Sequence, residues 1–457
     1  MSNITDWIKY ELYPTLFLSI DTALPEHDFK RYSGGWRSKT YLDGSPHKKR
    51  ADKTVISKNA LGCILEQGGE ALGLVDYVMR RDRVEFIQAV KTLADVVGLQ
   101  LPKGEFNQES YQRYKDQATL LEVCNSYFIY CLENATGANE VRAYLSSRGY
   151  SDEDVKAMEL GYVPDQEKLF KYLLSKGHSQ SLIDEVVTIK TDTRIGSTHK
   201  LTIPYRSGGS IKGFKFRTVG DATPKYLNSK GLDRLGGFFN LSGVKGDKDV
   251  VIVEGELDSL SATARGVENV VATGGSSISS DQVKDAIRRG AKSFTLCFDT
   301  EPGKEEETNK RITSAIEVIL GEGVNRVYIV TLPDLGGDKT DPDRLIKESG
   351  VDAFMEALRG ALPYYEYKLQ ETLNKYGKIE EERELQPKDI DRLLDEVVET
   401  ASQMPDATDR DRYKKLFTSL EDIKILGISE ESLSITVDRL TSTRDKEAQA
   451  KEFKKLL

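Results

Sequence analysis

Three acidic segments in this chain each follow an apolar run. Val250-Val251-Ile252-Val253 leads into Glu254-Gly255-Glu256-Leu257-Asp258, and Phe294-Thr295-Leu296-Cys297-Phe298 leads into Asp299-Thr300-Glu301. Farther on, Asp341-Pro342-Asp343 comes after a run that includes Val327 to Leu332. Short β-branched runs of this kind predict buried strands. In an open α/β sheet the carboxyl ends of parallel strands line the ligand crevice, so Glu254, Asp258, Asp299, Glu301, Asp341 and Asp343 are expected at one site. Carboxylates gathered there repel one another until divalent cations neutralise them. The chemistry such a cluster supports is metal-assisted phosphoryl transfer, in which one ion activates an attacking oxygen and another supports the leaving group. Each acid also has a plainer reading. Asp341 before Pro342 is a helix N-cap pattern, Asp258 can complement a helix dipole, and Asp299 to Gly303 can form an ordinary polar turn. Those readings, taken singly, do not explain why three acidic pairs stand at equivalent strand ends.

The elements that must position these acids are legible around them. Strands are predicted at 250–254, 269–272, 293–298 and 326–331 with helices between, which specifies a compact, Rossmann-like parallel sheet in an α/β fold. Just upstream, Leu201 to Tyr205 and Ile211 to Phe216 flank Ser207-Gly208-Gly209-Ser210, a hairpin signal. Arg206, Lys212, Lys215, Arg217, Lys225 and Lys230 lie in or just after this hairpin, where alternate side chains share a face. Such a face suits template phosphates or an incoming triphosphate, with arginine forking two oxygens and lysine acting as a point charge. Tyr226 and Asn228 are placed to contact base or sugar, core packing being the plainer reading for Tyr226.

The remainder of the 457 residues reads as further domains. Apolar segments around Ile8 to Leu18 and a turn at Gly34-Gly35-Trp36 precede a polar, basic stretch from Arg37 to Asn59. Helical periodicity runs from Ala71 to Val97, and a linker is expected at about 103–110. A mostly helical segment fills 110–187, with Ser151 as an N-cap, and amphipathic helices follow Pro363 with a break near Pro405. The expected divisions are a small N-terminal domain (1–103), a basic α+β subdomain (110–245), the acidic sheet subdomain (246–360) and a helical subdomain (361–457). No Walker-type phosphate loop occurs.

Composition sets limits on function. The net charge of −9 argues against binding nucleic acid through bulk charge, so the local basic clusters matter more than the total. The four cysteines, at 63, 124, 131 and 297, and the four histidines show no metal-ligand spacing, so no zinc site is expected. Cys124 and Cys131 fall on one buried helix face, and Cys297 lies in a strand. No run is long and apolar enough to span a membrane and no secretory signal opens the chain, which leaves a cytoplasmic location by default.

The segment from Glu254 to Asp343 resembles a TOPRIM domain, whose pattern is Glu-Gly-x-x-Asp, then Asp-x-Asp, then Asp-Pro-Asp. Thr223-Pro224-Lys225-Tyr226-Leu227-Asn228-Ser229 resembles the Lys-Tyr-Leu-Asn-Ser signature of bacterial DnaG-type DNA primases, and Ile203 to Arg206 with Gly213 to Arg217 resembles the stretch before it. Tyr144 to Ser151, Leu160 to Asp165, Arg412-Tyr413 and Leu426 to Glu431 extend the likeness, which covers about 70–440. Two departures stand out. The second acid of Asp-x-Asp is Glu301, whose extra methylene moves its carboxylate by roughly one bond length. The family's N-terminal zinc ribbon has only Cys63 to offer in this chain, although Gly73 to Met79 and Phe86 to Ala94 resemble the helices that follow that ribbon. A degenerate, zinc-free domain is expected there, touching template through Lys48, Lys49, Arg50 and Lys53. The resemblance implies a primase, a DNA-directed RNA polymerase that makes short RNA primers on single-stranded DNA from ribonucleoside triphosphates with Mg²⁺ or Mn²⁺. Glu254, Asp299 and Glu301 are its first catalytic candidates, and a replicative helicase is a candidate partner. The rival readings are a TOPRIM-type nuclease and a non-catalytic DNA-binding replication module.

Overall fold

Among the described residues of the computed structural model, three sets of apolar residues form buried cores. The structure describes all residues except 1–3, 43–45, 47–53, 58–61, 67–71, 103–107, 188–191, 208–209, 231, 233–234, 242–248, 276, 289, 338, 377–386, 421–422, 425–426 and 457. Two of the apolar sets lie in one compact unit, 1–233, and the third lies in the other, 234–457.

In the first set, Leu12, Leu16, Ile20 and Leu24 are fully buried at four-residue spacing along an N-terminal helical stretch. They share a core with Trp36, Ile56 and Ile64, which belong to an antiparallel meander of strands β1 (Lys30–Tyr32), β2 (Gly35–Ser38), β3 (Thr54–Ser57), β4 (Cys63–Glu66) and β5 (Leu72–Gly73). The helical periodicity of 71–97 resolves into two helices, Leu74–Asp82 and Phe86–Val96, because Arg83 takes a left-handed conformation (φ 55°) that ends the first. Lys48, Lys49, Arg50 and Lys53, expected to touch template, lie outside the described residues.

The second set is built on the long helix Gln108–Asn134, whose Cys124 and Cys131 are both buried, as their seven-residue spacing requires. Phe128 of that helix packs with Phe214 and Phe216. These two belong to the sheet of β6 (Gly161–Tyr162), β7 (His199–Ser207), β8 (Ser210–Thr218) and β9 (Tyr226–Asn228), in that spatial order. Ser151 caps the helix Asp152–Ala157 in a reciprocal box: its hydroxyl accepts from the Asp154 N–H at 3.1 Å and its own N–H donates to the Asp154 carboxylate at 3.0 Å.

The third core holds the sheet of β10 (Asp249–Val253), β11 (Val270–Ala272), β12 (Ser293–Leu296), β13 (Val327–Ile329) and β14 (Leu362–Pro363), with spatial order β11-β10-β12-β13-β14. The first four strands pair in parallel as their continuous apolar runs predict. β14 is antiparallel to β13, so the sheet is mixed rather than all parallel. It is an edge strand, where the missing N–H of Pro363 breaks no ladder. Cys297 lies one residue past the end of β12 rather than inside it, and is buried. The helices after Pro363 share this core through Tyr364, Leu393, Val397, Tyr413 and Phe417, and so do Phe238 and Leu241 ahead of β10.

Strand order fixes where a ligand can sit. The connection from β10 leaves toward β11 on one side, and that from β12 leaves toward β13 on the other, which makes the β10/β12 carboxyl ends the topological switch point. Ile252 pairs with Leu296, and Leu296 with Ile329, so the three strands end in step. Phe294 of β12 is fully buried beneath this edge. Phe294→Ala is expected to destabilise the 234–457 unit by about 3–5 kcal/mol, read as a lower urea midpoint for that unit; an unchanged midpoint would show that this strand does not anchor the core.

Candidate active site

β10 stops at Val253, Glu254 follows, and Gly255 opens the helix Glu256–Ala264. Asp258, in the first turn of that helix, folds back so that Oδ2 accepts the Gly255 N–H at 3.1 Å. A Cβ on residue 255 would collide with that oxygen, so the glycine of Glu-Gly-x-x-Asp meets a space requirement; its φ of −99° is ordinary. The other oxygen, Oδ1, accepts the Asp343 N–H at 3.3 Å. One carboxylate therefore ties together the starts of two helices, Glu256–Ala264 and Pro342–Ser349. Burial, and then the charges of Asp341, Asp299 and Asp343, push its pKa well above the usual carboxylate range.

Glu254 is held from two sides. Its Oε1 accepts the backbone N–H of Asp299 at 3.1 Å, and its Oε2 takes Arg311 Nη1 at 2.5 Å. Arg311 comes from the helix Glu305–Gly321 and is itself steadied by a 3.0 Å bond to the Thr308 hydroxyl. Asp299 is 6% exposed. Its Oδ2 is ion-paired with Lys339, while the buried Oδ1 has no hydrogen-bond partner among the described residues. Burial and the neighbouring Glu254 charge raise its pKa to about 6, with Lys339 pulling the other way.

The loops after β12 and β13 are stitched together. Thr300 and Thr340 exchange backbone hydrogen bonds of 2.9 and 2.8 Å. Asp341 caps its helix, accepting the Arg344 N–H at 2.8 Å, which is the role that the Asp-Pro pattern allows. The Arg344 side chain reaches back to the carbonyls of Gly336 (2.8 Å) and Lys339 (2.7 Å) and pins the loop that carries Lys339. Asp343 is 2% exposed. Glu301 turns to Lys304 at 2.5 Å, and that pairing first, with the positive charges of Lys339 and Arg311, holds its carboxyl below the usual range.

The structure thus brings Asp258, Asp299, Asp341 and Asp343 into electrostatic reach of one another, with Glu254 beside Asp299 and Glu301 on the more exposed side. Among the described residues no three carboxylates, imidazoles or thiols form a ready metal cage. The donor that fits a hard cation is Asp299, whose Oδ1 is a buried, partnerless carboxylate oxygen. Arg311, Lys339 and Arg344 escaped the sequence reading because it sought acids at strand ends. The available signal was the presence of bases within three residues of Asp341 and in the second turn of the helix after Asp299.

The basic hairpin is a second constellation, in the 1–233 unit. Arg217 pairs across with Tyr226 and Lys215 with Asn228. The Tyr226 ring lies within 4.8 Å of the Lys215 ammonium, 5.3 Å of the Arg217 guanidinium and 6.0 Å of the Lys225 ammonium, and its hydroxyl accepts from Arg217 at 3.1 Å. Tyr144, named in the sequence only as part of the resemblance, also faces the Arg217 guanidinium at 4.9 Å and accepts a hydrogen bond from Arg148 at 3.2 Å. Ser229 is buried as a tie, its hydroxyl accepting the Phe214 N–H at 2.9 Å, and a Cβ on Gly213 would collide with it.

Arg206 does not join this face. Lys212 is the extra residue of a bulge, where pairing steps from Tyr205↔Gly213 to Arg206↔Ile211. Arg206 therefore shares the face of Ile211, which packs in the same cluster as Phe214. There its guanidinium is engaged by Glu122 at 2.8 and 3.1 Å and by Glu159 at 2.6 Å. Lys230 and Asn228 are exposed.

Asp299 yields a pH-dependent expectation. Between the ordinary value of 3.8 and about 6 the folded protein holds a proton on Asp299 that the unfolded chain releases, so stability falls as pH rises through that window. Asp299→Asn cannot ionise. In EDTA it is expected to exceed the parent's stability by about 1–3 kcal/mol at pH 8, with the advantage fading by pH 4; equal advantages at both pH values would refute the shift. Gly255→Ala is expected to cost about 1–3 kcal/mol by displacing the Asp258 carboxylate from its N–H, measured by denaturant titration.

Residues 127–233 match the family described as DNA primase catalytic core, N-terminal domain, and residues 251–346 match a Toprim-like family. A DNA primase of Clostridium acetobutylicum is 26% identical over 344 residues, covering 72% of this chain and 55% of the relative. One from Halalkalibacterium halodurans is 26% identical over 390 residues, covering 80% and 61%. The chain thus spans between about half and three fifths of these curated relatives. Among solved structures, the zinc-binding and RNA polymerase domains of the Aquifex aeolicus primase superpose with a TM-score of 0.55 at 20% identity, covering 95% of this chain and 99% of that one. A DnaG primase catalytic domain bound to single-stranded DNA gives 0.54 at 20% identity, over 70% and 99%. The sheet topology, the spacing of its acids and the two consecutive matches agree: over residues 127–346 the chain is similar to the catalytic core of DnaG-type DNA primases.

Proposed function

We propose that this chain is a DNA primase that condenses ribonucleoside triphosphates into short RNA primers on single-stranded DNA. The observation that carries the reading is the partnerless Oδ1 of Asp299, a buried carboxylate oxygen at the switch point of the sheet. It calls for a cation, and the acids within its electrostatic reach are those of the Glu-Gly-x-x-Asp and Asp-Pro-Asp segments. Mg²⁺ or Mn²⁺ held on Asp299, with Asp341, Asp343 and Glu301 around it, would activate the attacking 3′ oxygen and stabilise the triphosphate leaving group. Glu254, fixed by the Asp299 N–H and by Arg311, orients the reacting groups at the same edge. Asp258 acts through the backbone, setting the position of Asp343.

The Tyr226 cluster supplies the nucleic-acid half of the proposal. Lys215, Arg217 and Lys225 surround an aromatic ring, which combines phosphate attraction with a platform for a base. The meander at 30–73 is proposed as a zinc-free counterpart of a primase zinc-binding domain, and Cys63 is the one cysteine in that stretch.

The test is primer synthesis from four ribonucleotides on single-stranded DNA with Mg²⁺ or Mn²⁺. The wild type is expected to make dinucleotides and longer products, and Glu254→Gln to lose activity by about 10²-fold or more. Activity untouched by that substitution would overturn the reading, and nicking of DNA without nucleotides would replace it with a nuclease. Tyr226→Ala is expected to weaken single-stranded DNA binding by about 1–3 kcal/mol at fixed salt, checked by fluorescence anisotropy.

A further inference from the structure

We infer that Lys339 is a resident counter-ion for the acid cluster: its ammonium sits on Oδ2 of Asp299, beside the Oδ1 offered to a divalent cation, so a cation that engages Asp299 competes with it. The inference rests on the metal reading of this site and specifies what sets its affinity. Lys339 is a positioning residue that acts through Asp299.

The argument starts from charge. Asp258, Asp299, Asp341 and Asp343 gather at one buried edge, with Glu254 beside Asp299, and like charges so placed repel unless something positive stands among them. Two bases stand there, and they are held differently. Arg311 is largely buried against Glu254 and braced by Thr308, so it is a fixed part of the wall. Lys339 enters from the rim, its side chain 39% exposed against 8% for Asp299, and its ammonium contacts Oδ2 while the charges of Asp341 and Asp258 also act on it.

The backbone of Lys339 is anchored where the side chain is not. Arg344 grips its carbonyl at 2.7 Å, and the neighbouring Thr340 is paired to Thr300. A flexible four-carbon stem on a pinned loop can withdraw into solvent without disturbing the sheet edge. The ammonium covers only one oxygen, leaving Oδ1 without a partner, so a single positive charge incompletely satisfies Asp299. A dication that engaged Asp299 would both exceed that charge and repel the ammonium outward.

The test is Mn²⁺ binding to the full chain by calorimetry and electron paramagnetic resonance, with no nucleotide present. Lys339→Met is expected to bind Mn²⁺ about tenfold more tightly than the wild type, because one competing charge is gone. Lys339→Arg keeps the charge and is expected to stay near the wild type. In EDTA, Lys339→Met is expected to melt below the wild type and to regain the difference on adding Mn²⁺, a readout that also shows the variant is folded; Lys339→Gln repeats the experiment with a polar replacement. Unchanged or weaker Mn²⁺ binding in both neutral variants would overturn the counter-ion role. Asp299→Asn separates this from the parent reading: should the neutral Lys339 variants fail while Asp299→Asn abolishes Mn²⁺ binding, the metal site stands and only the role of Lys339 falls, whereas if Asp299→Asn binds like the wild type, or no form binds Mn²⁺, the metal reading falls with it.

Discussion

Repulsion among carboxylates at the carboxyl ends of β10, β12 and β13 is the constraint around which the 234–457 unit is arranged. The strands end in step, so each acid that follows one of them is delivered to the same edge. Burial there removes the water that would otherwise screen the charges. The surrounding structure answers in three ways. Backbone N–H groups of Gly255, Asp299 and Asp343 donate to Asp258 and Glu254, Arg311 neutralises Glu254, and Lys339 neutralises Asp299. Among the described residues, Oδ1 of Asp299 is a buried oxygen that stays unanswered.

The acids consequently divide by role although their side chains are alike. Asp258 and Asp341 are builders, since each places an oxygen on the backbone N–H of a helix start and so fixes where the next acid stands. Asp299 is the strained member, buried among like charges with its pKa raised to about 6. Glu301, relieved by Lys304 and more exposed, carries little of that strain. A site assembled this way is pre-organised for a cation because the unfavourable electrostatics are already present before one arrives.

The 1–233 unit solves the opposite problem of concentrating positive charge. Lys215 and Arg217 are nearly buried, yet both face aromatic rings. The ring face of Tyr226 lies against both cations and that of Tyr144 against Arg217, adding cation–π attraction. Arg206 shows the alternative outcome, since on the other face two glutamates take up its guanidinium.

The sequence alone determined the sheet and the identity of its acids. Apolar runs bounded by helical periodicity specify parallel strands, and acids at equivalent run ends specify a shared edge, because both signals are local in the chain. The glycine of Glu-Gly-x-x-Asp was legible as part of the pattern, but its reason, the space needed by the Asp258 carboxylate, was not. Tertiary structure decided the rest. It made β14 antiparallel, set the register that puts Arg206 on the Phe214 face rather than with Lys215 and Arg217, and brought Arg311 against Glu254 and Lys339 against Asp299. Strand and helix periods record which way a side chain faces within its own element. Which charge it meets depends on elements brought together only by packing, and no local pattern carries that information.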